Sequence, residues 1–264
     1  MKKVLVIGAN SYIGRKFREY VLQECEYELT VDLVSAFDGS WRMVDFTCYD
    51  VILHLAAIVH KKETKGMEAL YYDVNHKLAL EAARKAKESQ INQFIFMSTA
   101  AVFGPSYECI TKETKPRPVT FYGKSKLLAE SEILKLQDEK YRIAIVRPPM
   151  VYGDGCKGNY EKLVKLARYT PVFPEYHNKR SMLYIDNLSK YLVELIRNES
   201  NGIYHPQDGD YADTCEVIVK IRKEMGKRTK LTPYFNAMIG FFIKNNISVL
   251  KKMFGDLYYD KSLV

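Results

Sequence analysis

The sequence predicts an α/β protein built on a doubly wound parallel sheet, with a smaller region towards its C-terminus. An apolar, β-branched run near the N-terminus leads into a glycine turn, strand-like and helix-like segments alternate up to about residue 150, and the alternation stops after Pro148 and Pro149. Such alternation is typical of parallel sheets, because a parallel connection has to cross over the sheet. We therefore expect one domain over residues 1–150 and a second, partly interwoven region over residues 151–264.

Five segments of the first domain have the composition of buried strands. Each is short, rich in Val, Ile, Leu or Phe, and bounded by polar or glycine residues. Continuous apolar runs are expected where helices cover both faces of a parallel sheet. The predicted strands are residues 3–7, 28–34, 51–55, 94–97 and 143–146.

Longer segments between these strands have helical periodicity. In the first of them Ile13, Phe17 and Val21 recur at the spacing of one helix face. The predicted helices are residues 11–24, 68–89 and 122–136. Beyond Pro149, glycines and prolines divide the chain into shorter elements, which marks the start of the second region.

Composition and charge argue against several classes of protein. Five cysteines are scattered without a CxxC pair, which favours a reducing compartment, here the cytoplasm, and predicts no metal site. The apolar residues 237–243 are too few to span a bilayer, so we expect no stable membrane insertion. The formal net charge of +8 suggests an acidic partner. Because the lysines are spread along helices, we expect a phosphate-bearing small substrate or a solvated surface and no nucleic acid.

The turn after the first predicted strand has the features of a dinucleotide-binding loop. Glycines let the backbone approach a pyrophosphate, and the following helix offers free N–H groups and the positive end of its dipole. Asp32, which we place at the end of the second strand and 24 residues after Gly8, can bind a ribose 2′-hydroxyl and repel a 2′-phosphate. This favours NAD over NADP as the cofactor. The loop residues are Gly8, Asn10, Ser11, Tyr12, Ile13 and Gly14.

Two departures keep NADP as the less favoured alternative. Ser11 stands where such loops usually have their middle glycine, and Arg15 directly follows Gly14 in a position to meet a phosphate. A plain strand–helix turn with a surface aspartate is the simpler interpretation of the same residues.

A phenol and an ammonium stand four residues apart in the helix predicted over residues 122–136. Tyr122 and Lys126 share one helix face, because residues at i and i+4 lie above one another. An ammonium beside a phenol favours phenolate and lowers a pKa that is ordinarily about 10. We therefore expect Tyr122 to move a proton near neutral pH, although a solvated helix face would give the same pattern.

Taken together, these residues resemble the extended short-chain dehydrogenases/reductases of the NAD-dependent epimerase/dehydratase family. The similar segments keep the family's order from residue 4 to about residue 220. They are residues 8–14, 54–57, 73–75, 97–99, 102–104, 122–126, 147–153 and 180–186. The resemblance implies a Rossmann-type dinucleotide-binding domain, NAD as cofactor and a UDP-sugar as substrate, bound by the region 151–264.

The resemblance also implies roles for individual residues. Tyr122 takes the proton of a sugar hydroxyl, Lys126 lowers the pKa of Tyr122 and binds the nicotinamide ribose, and Thr99 hydrogen-bonds the sugar oxygen. Asn159 and Arg180 are the expected contacts to the substrate, and Arg180 suits its diphosphate. Besides the glycine loop, Asp32 and the Tyr–Lys pair, the expected cofactor contacts are Leu55, Ala56, Ala57, Asn75 and Pro149, although Asn75 could equally be bonded to backbone.

Alanines distinguish this chain from one branch of the family. The 4,6-dehydratases of this family carry Asp and Glu directly after the threonine at the strand end. At the corresponding positions this chain has Ala100 and Ala101. Without those carboxyls we expect no dehydration. The leading expectation is C4 epimerisation of a UDP-hexose or UDP-N-acetylhexosamine in polysaccharide biosynthesis. The alternatives are reduction of a 4-keto-6-deoxy sugar nucleotide and a non-catalytic, dinucleotide-binding sensor or scaffold.

The C-terminal part leaves two further questions open. Residues 231–254 mix apolar positions with lysines, which favours a helical lid or a dimer surface over a helix lying on an anionic membrane. Similar proteins continue beyond this point, so a truncated C-terminal element is an alternative. Similar proteins often pair through the helix that carries Tyr122, and we expect a homodimer.

Overall fold

A six-stranded parallel sheet forms the centre of the computed structural model, which describes residues 1–59, 63–64, 66–245 and 248–263. From one edge to the other, the sheet consists of β10 (Gly202–Tyr204), β6 (Arg142–Val146), β4 (Gln93–Met97), β3 (Val51–His54), β1 (Lys2–Ile7) and β2 (Leu29–Val34). The five predicted strands are all present. The sixth, β10, is too short for a recognisable periodicity and comes from the second region, which therefore joins the sheet of the first.

Strand order creates a switch point between β1 and β3. The chain leaves β1 for β2 on one side and then returns to place β3 on the other side. The turns after β1 and β3 therefore leave the same edge of the sheet in opposite directions and open a crevice there. In open α/β sheets, this crevice is where ligands bind.

Helices cover both faces of the sheet, as the doubly wound prediction requires. One face packs against α1 (Tyr12–Glu24) and α6 (Ile185–Arg197), the other against α3 (Leu78–Glu88) and α4 (Phe121–Leu134). Each layer contributes an apolar stripe that removes the sheet's Val, Ile and Phe side chains from water. This Rossmann-type core holds the carboxyl ends of the strands in fixed positions.

The predicted helix 68–89 is interrupted. It consists of α2 (Glu68–Tyr72), a π-helical turn (Asp73–Lys77) and then α3. The buried Asn75 lies in the π turn and bonds to the backbone of another segment. Insertion of an extra residue into a helical turn is a common feature of functional sites.

The second region has its own small core. The helices α5 (Asn159–Tyr169), α7 (Thr214–Glu224), α8 (Asn236–Lys244) and α9 (Ser248–Phe254) surround buried residues that include Phe173, Ile218 and Ile239. Two-stranded sheets pair β7 (Met150–Tyr152) with β9 (Met182–Tyr184) and β8 (Val172–Pro174) with β11 (Lys230–Thr232). Across the described ranges, each helix is too short or too polar to cross a membrane.

The end of the described chain returns to the first region. There β12 (Tyr258–Tyr259) pairs in parallel with β5 (Cys109–Ile110), and the Tyr259 hydroxyl donates to the Arg147 carbonyl at 2.7 Å. The two regions are thus joined by β10 and by β12.

Candidate active site

The turn after β1 packs directly on the loop after β3. Gly8 has a φ of +133°, and a Cβ at this position would lie 3.2 Å from the Ala56 backbone nitrogen. A Cβ at Gly14 would lie 3.3 Å from Leu55 Cδ1. Glycine alone fits both positions, so no side chain covers the backbone at the crevice. A diphosphate can therefore approach the backbone closely there.

The N-terminus of α1 points into the same turn. Ser11 caps the helix by accepting a hydrogen bond from the Gly14 N–H at 2.9 Å. Tyr12 and Ile13 are the first two residues of α1, so their N–H groups have no partner within the helix. The first turn of α1 has no acidic residue, which leaves the positive end of the dipole free to attract an anion.

Two residues of the predicted loop differ in their surroundings. Asn10 is exposed in the turn. The Tyr12 hydroxyl instead donates to the Asp154 carbonyl at 3.0 Å and ties the glycine turn to the second region. Burial raises the pKa of the Tyr12 phenol, so it stays protonated as a donor.

Asp32 lies near the end of β2, two residues before the last strand residue Val34. Asp32 pairs in register with Leu5, and β2 continues to Val34, which pairs with Ile7. The Asp32 carboxylate accepts a hydrogen bond from the Tyr49 hydroxyl at 3.0 Å. Ser35 is the first residue beyond the strand end, and the observed end of β2 matches the predicted bound at residue 34.

Asn75 joins two of the predicted cofactor segments. Its side chain accepts from the Ile58 N–H at 2.7 Å and donates to the Ile58 carbonyl at 3.2 Å and to Ser125 Oγ at 3.2 Å. Ser125 in turn donates to the Tyr122 carbonyl at 3.0 Å. The alternative of a backbone-bonded Asn75 is therefore confirmed, and the bond fixes the loop after Leu55, Ala56 and Ala57 against α4.

The helix α4 brings Tyr122 to Thr99. A Cβ at Gly123 would lie 2.7 Å from the Ala101 carbonyl, so glycine lets the first turn of α4 approach the turn that follows β4. The Thr99 side chain lies close enough to the Tyr122 phenol to lower its pKa, and Thr99 Oγ1 accepts from the Ala101 N–H at 3.1 Å. The strand-end threonine and the helix tyrosine thus meet, although 23 positions separate them in the sequence.

The expected lowering of the Tyr122 pKa by Lys126 is wrong for this structure. Burial raises the pKa of Tyr122 to about 12, and only the nearby Thr99 side chain opposes the rise. The Lys126 ammonium turns away to donate to the Met97 carbonyl at 2.8 Å, with its Nζ 4.2 Å from the centre of the Phe96 ring. The i, i+4 spacing places Tyr122 and Lys126 on one face of α4. The direction of the Lys126 ammonium is nevertheless set by its hydrogen bond to the Met97 carbonyl at the end of β4.

Lys126 is nevertheless an unusual lysine. Its side chain is 1% exposed, and burial lowers its pKa to about 7, against the opposing effect of the Glu130 carboxylate. A lysine of this kind exchanges a proton near neutral pH.

A buried ion pair behind this group was missed by the sequence analysis. Glu130 lies one turn after Lys126 on α4 and accepts from Arg147 Nη2 at 2.6 Å and Nε at 3.1 Å. Ser98 donates a short hydrogen bond to the same carboxylate. The only signal in the sequence was the i, i+4 spacing of Lys126 and Glu130, since Arg147 directly follows β6. The pair holds α4 on the ends of β4 and β6.

His54 is enclosed by aromatic side chains of the core. It ends β3 and is fully buried beside Phe94 and Phe96, at ring distances of 6.1 and 5.8 Å. Within the described part of the chain, neither ring nitrogen has a hydrogen-bond partner. Burial and the Lys126 charge lower the pKa of His54 to about 3, so the ring is neutral.

Arg180 is a partly buried cation with free hydrogen-bonding capacity. Its Nη1 donates to the Gly255 carbonyl at 2.9 Å, and burial lowers its pKa. Among the described residues, no carboxylate forms an ion pair with it. Asn159 is exposed as the first residue of α5, and Pro149 lies between β6 and β7.

One cluster of possible metal ligands lies at the start of α7. His177 Nδ1, an Asp213 carboxylate oxygen and Cys215 Sγ all lie within 4.8 Å of one another. The sequence analysis missed it because 38 positions separate His177 from Cys215. Asp213 caps α7, because its Oδ1 accepts a hydrogen bond from the Cys215 N–H at 2.8 Å. Its Oδ2 is hydrogen-bonded to His177 Nδ1 at 2.8 Å. These hydrogen bonds within the protein therefore account for the proximity of the three side chains.

The doubly wound sheet, the glycine turn at its switch point and the group of Thr99, Tyr122 and Lys126 together define a protein of the short-chain dehydrogenase/reductase class. The chain belongs to the NAD dependent epimerase/dehydratase family, whose model matches residues 4–205.

Two relatives and one solved structure illustrate the similarity. The UDP-glucose 4-epimerase of Vibrio cholerae is 31% identical over 194 residues, which are 69% of this chain and 59% of that protein. The chain thus spans less than two thirds of that relative. The N-acetyl-alpha-D-glucosaminyl-diphospho-ditrans,octacis-undecaprenol 4-epimerase of Escherichia coli O157:H7 is 22% identical over 97% of this chain and 82% of its own length. The dTDP-4-dehydrorhamnose reductase of Clostridium acetobutylicum has the same fold, with a TM-score of 0.73 at 21% identity over 87% of this chain and 82% of its own.

Proposed function

We propose that this protein is an NAD-dependent epimerase that inverts C4 of a UDP-hexose or a UDP-N-acetylhexosamine. The observation that carries the proposal is the proximity of Thr99 and Tyr122 at the end of β4, with the buried Lys126 one helical turn further on. Membership of the family and the named activities of both relatives support it.

The residues at the switch point fit a dinucleotide. The bare backbone at Gly8 and Gly14 and the uncompensated N-terminus of α1 would hold its diphosphate. Leu55, Ala56 and Ala57 would line the cofactor from the loop after β3, and Pro149 from the segment after β6. When bound, NAD supplies the chemistry of accepting a hydride from C4 and returning it to the opposite face.

Side chains of the protein would transfer the proton at the sugar oxygen. Tyr122 takes the proton of the C4 hydroxyl on oxidation and gives it back on reduction, while Thr99 hydrogen-bonds the same oxygen. With a pKa of about 12, the phenol is protonated near neutral pH and is ready to donate. The nearby Thr99 side chain favours the phenolate needed for the opposite direction.

The raised pKa of Tyr122 favours a second candidate, a reductase of a 4-keto-6-deoxy sugar nucleotide. Such an enzyme needs the phenol only as an acid, which is its state at neutral pH in this structure. Dehydration is not proposed, because Ala100 and Ala101 offer no proton. A non-catalytic sensor is a weaker alternative, since binding alone has no need of Thr99, Tyr122 and Lys126 in one group.

A sugar diphosphate is the proposed substrate class, and Arg180 is its proposed anchor. Its guanidinium is partly desolvated and forms no ion pair in the described part of the chain, although the Asp256 carboxylate acts on it from a longer distance, so its free N–H groups could bind a diphosphate. Asn159, at the N-terminus of α5, is a second proposed contact. The relative that aligns over 97% of the chain is named for a sugar diphosphate on a lipid, which shares this group with UDP-sugars.

The proposed setting is cytoplasmic polysaccharide biosynthesis, and the proposed assembly is a homodimer formed through α4. The named lipid-linked substrate of one relative supports the first, and the odd number of unpaired cysteines is compatible with a reducing compartment.

Proton NMR separates the two catalytic candidates. An epimerase converts UDP-glucose or UDP-N-acetylglucosamine into a mixture with its C4 epimer while the total NAD stays constant. If C4 is unchanged and NADH is consumed only with a 4-keto sugar nucleotide, the epimerase proposal is refuted and the reductase replaces it.

Tyr122→Phe tests the proton-transfer role. We expect NAD affinity within about 2-fold of the unmodified protein and a loss of turnover of about 10²–10⁴-fold, the usual contribution of a positioned acid–base group. Tyr141→Phe is the matched control, because it likewise removes one tyrosine hydroxyl, but that hydroxyl donates to the Ala83 carbonyl at 2.7 Å inside the core. Unchanged turnover of Tyr122→Phe would rule out the assigned role.

A further inference from the structure

An exposed apolar stripe runs along α8 and the 3-10 turn before it. The exposed fractions are 84% for Tyr234, 50% for Met238 and 63% for Phe241. Positions i, i+4 and i+7 share one face, so these side chains form a continuous row. On another side of the same helix, Ile239 is only 3% exposed and packs into the core of the second region. The stripe is therefore additional to the face that the fold requires.

The stripe lies in a segment of the chain that is basic and has no acidic residue. Residues 225–255 contain no Asp or Glu, whereas the whole chain has 32. Lys230 and Lys244 flank the stripe and are both exposed, and within the described residues neither forms an ion pair. The basic residues of this segment are Lys227, Arg228, Lys230, Lys244, Lys251 and Lys252.

We propose that this stripe docks the protein on the surface of an anionic lipid bilayer. Exposed aromatic and methionine side chains enter the boundary between headgroups and acyl chains, while nearby lysines are attracted to anionic headgroups. The helices of the described residues are too short or too polar to cross a bilayer, so α8 lies on its surface. The inference is independent of the proposed reaction.

Charge also argues against a second copy of the chain as the occupant. A two-fold dimer places the same patch against itself, so Lys230 and Lys244 would face the same positive charges of the other copy. Like charges directly opposite one another disfavour such a contact. An anionic surface matches the charge, and a flat bilayer accepts a row of projecting side chains without a shaped pocket.

Vesicle co-sedimentation of the full chain tests the proposal. We expect binding to vesicles that mix phosphatidylglycerol with phosphatidylcholine, and binding at least ~10-fold weaker to phosphatidylcholine alone or in high salt. The variant Met238→Glu/Phe241→Glu should lose at least ~10-fold in affinity for the mixed vesicles. Tyr27→Glu is the matched control, because Tyr27 is 88% exposed and lies outside the stripe.

A second variant keeps the test informative if the acidic substitutions disturb folding. Lys230→Gln/Lys244→Gln changes two exposed side chains and no apolar contact, and it should weaken binding to the mixed vesicles by about 10-fold or more. Melting temperatures establish that each variant is folded.

Three results would overturn the proposal. One is equal vesicle binding by the unmodified protein and both variants. Another is absence of vesicle binding together with a two-chain mass in light scattering that Phe241→Glu reduces to one chain, which would assign the stripe to a dimer. The third is absence of vesicle binding together with salt-sensitive binding of an RNA oligonucleotide, which would assign the charge to nucleic acid.

Discussion

Arg147→Met removes one partner of the buried ion pair that joins α4 to β6. The side chains of Arg147 and Glu130 are 8% and 2% exposed, and their closest contact is 2.6 Å. After the substitution, the Glu130 carboxylate stays buried with the Ser98 hydroxyl as its remaining donor. The pair is therefore the place where one side-chain change should have the largest effect on the architecture of the site.

The magnitude follows from this burial. Breaking a buried pair by removing one partner costs about 3–5 kcal/mol of unfolding free energy, because an uncompensated charge is left inside. For a chain of this size, that loss lowers the Tm by roughly 10 °C. In the double variant Glu130→Leu/Arg147→Met no charge is stranded, so we expect a coupling of at least ~2 kcal/mol between the two single changes.

Urea unfolding followed through the fluorescence of Trp41, the single and fully buried tryptophan, measures all three variants. Arg197→Met is the matched control. Its ion pair with Glu28 is 44% and 52% exposed, so its loss should cost less than about 1 kcal/mol. If Arg147→Met costs no more than Arg197→Met, or if the single costs simply add, the pair does not hold α4 in place.

Three further outcomes are expected. Between its native pKa of about 7 and its ordinary value near 10.5, Lys126 binds a proton in the unfolded chain but not in the native one. Stability relative to Lys126→Met should therefore rise with pH through that window in urea unfolding, and a flat difference would contradict the lowered pKa. Gly8→Ala should weaken NAD affinity more than ~10-fold in fluorescence titration, because its Cβ enters the contact with Ala56. Arg180→Gln should raise KM for a UDP-sugar about 10-fold with a smaller change in kcat, and the reverse split would place Arg180 at the reacting atoms instead of the diphosphate.

The pattern of apolar residues along the sequence predicted the strands and helices of the core. The strands β1, β3, β4 and β6 differ from their predicted bounds by no more than one residue, because strands covered on both faces are continuous apolar runs. The bounds of α1 and α4 were also close, and Ser11 and Thr120 cap these helices as their residue types favour. The edge strand β10 was missed because it has only three residues, whereas the edge strand β2 was predicted to within one residue.

The sequence by itself determined the fold class and the residues of the candidate site. Thr99, Tyr122 and Lys126 could be named because a strand end and one helix face are local properties of a chain. Tertiary structure decided how those residues are tuned: the Met97 carbonyl takes the Lys126 ammonium, burial raises the pKa of Tyr122, and Arg147, which directly follows β6, neutralises Glu130. Desolvation and contacts between distant segments set charge states, and neither is encoded in the spacing of residues along one helix.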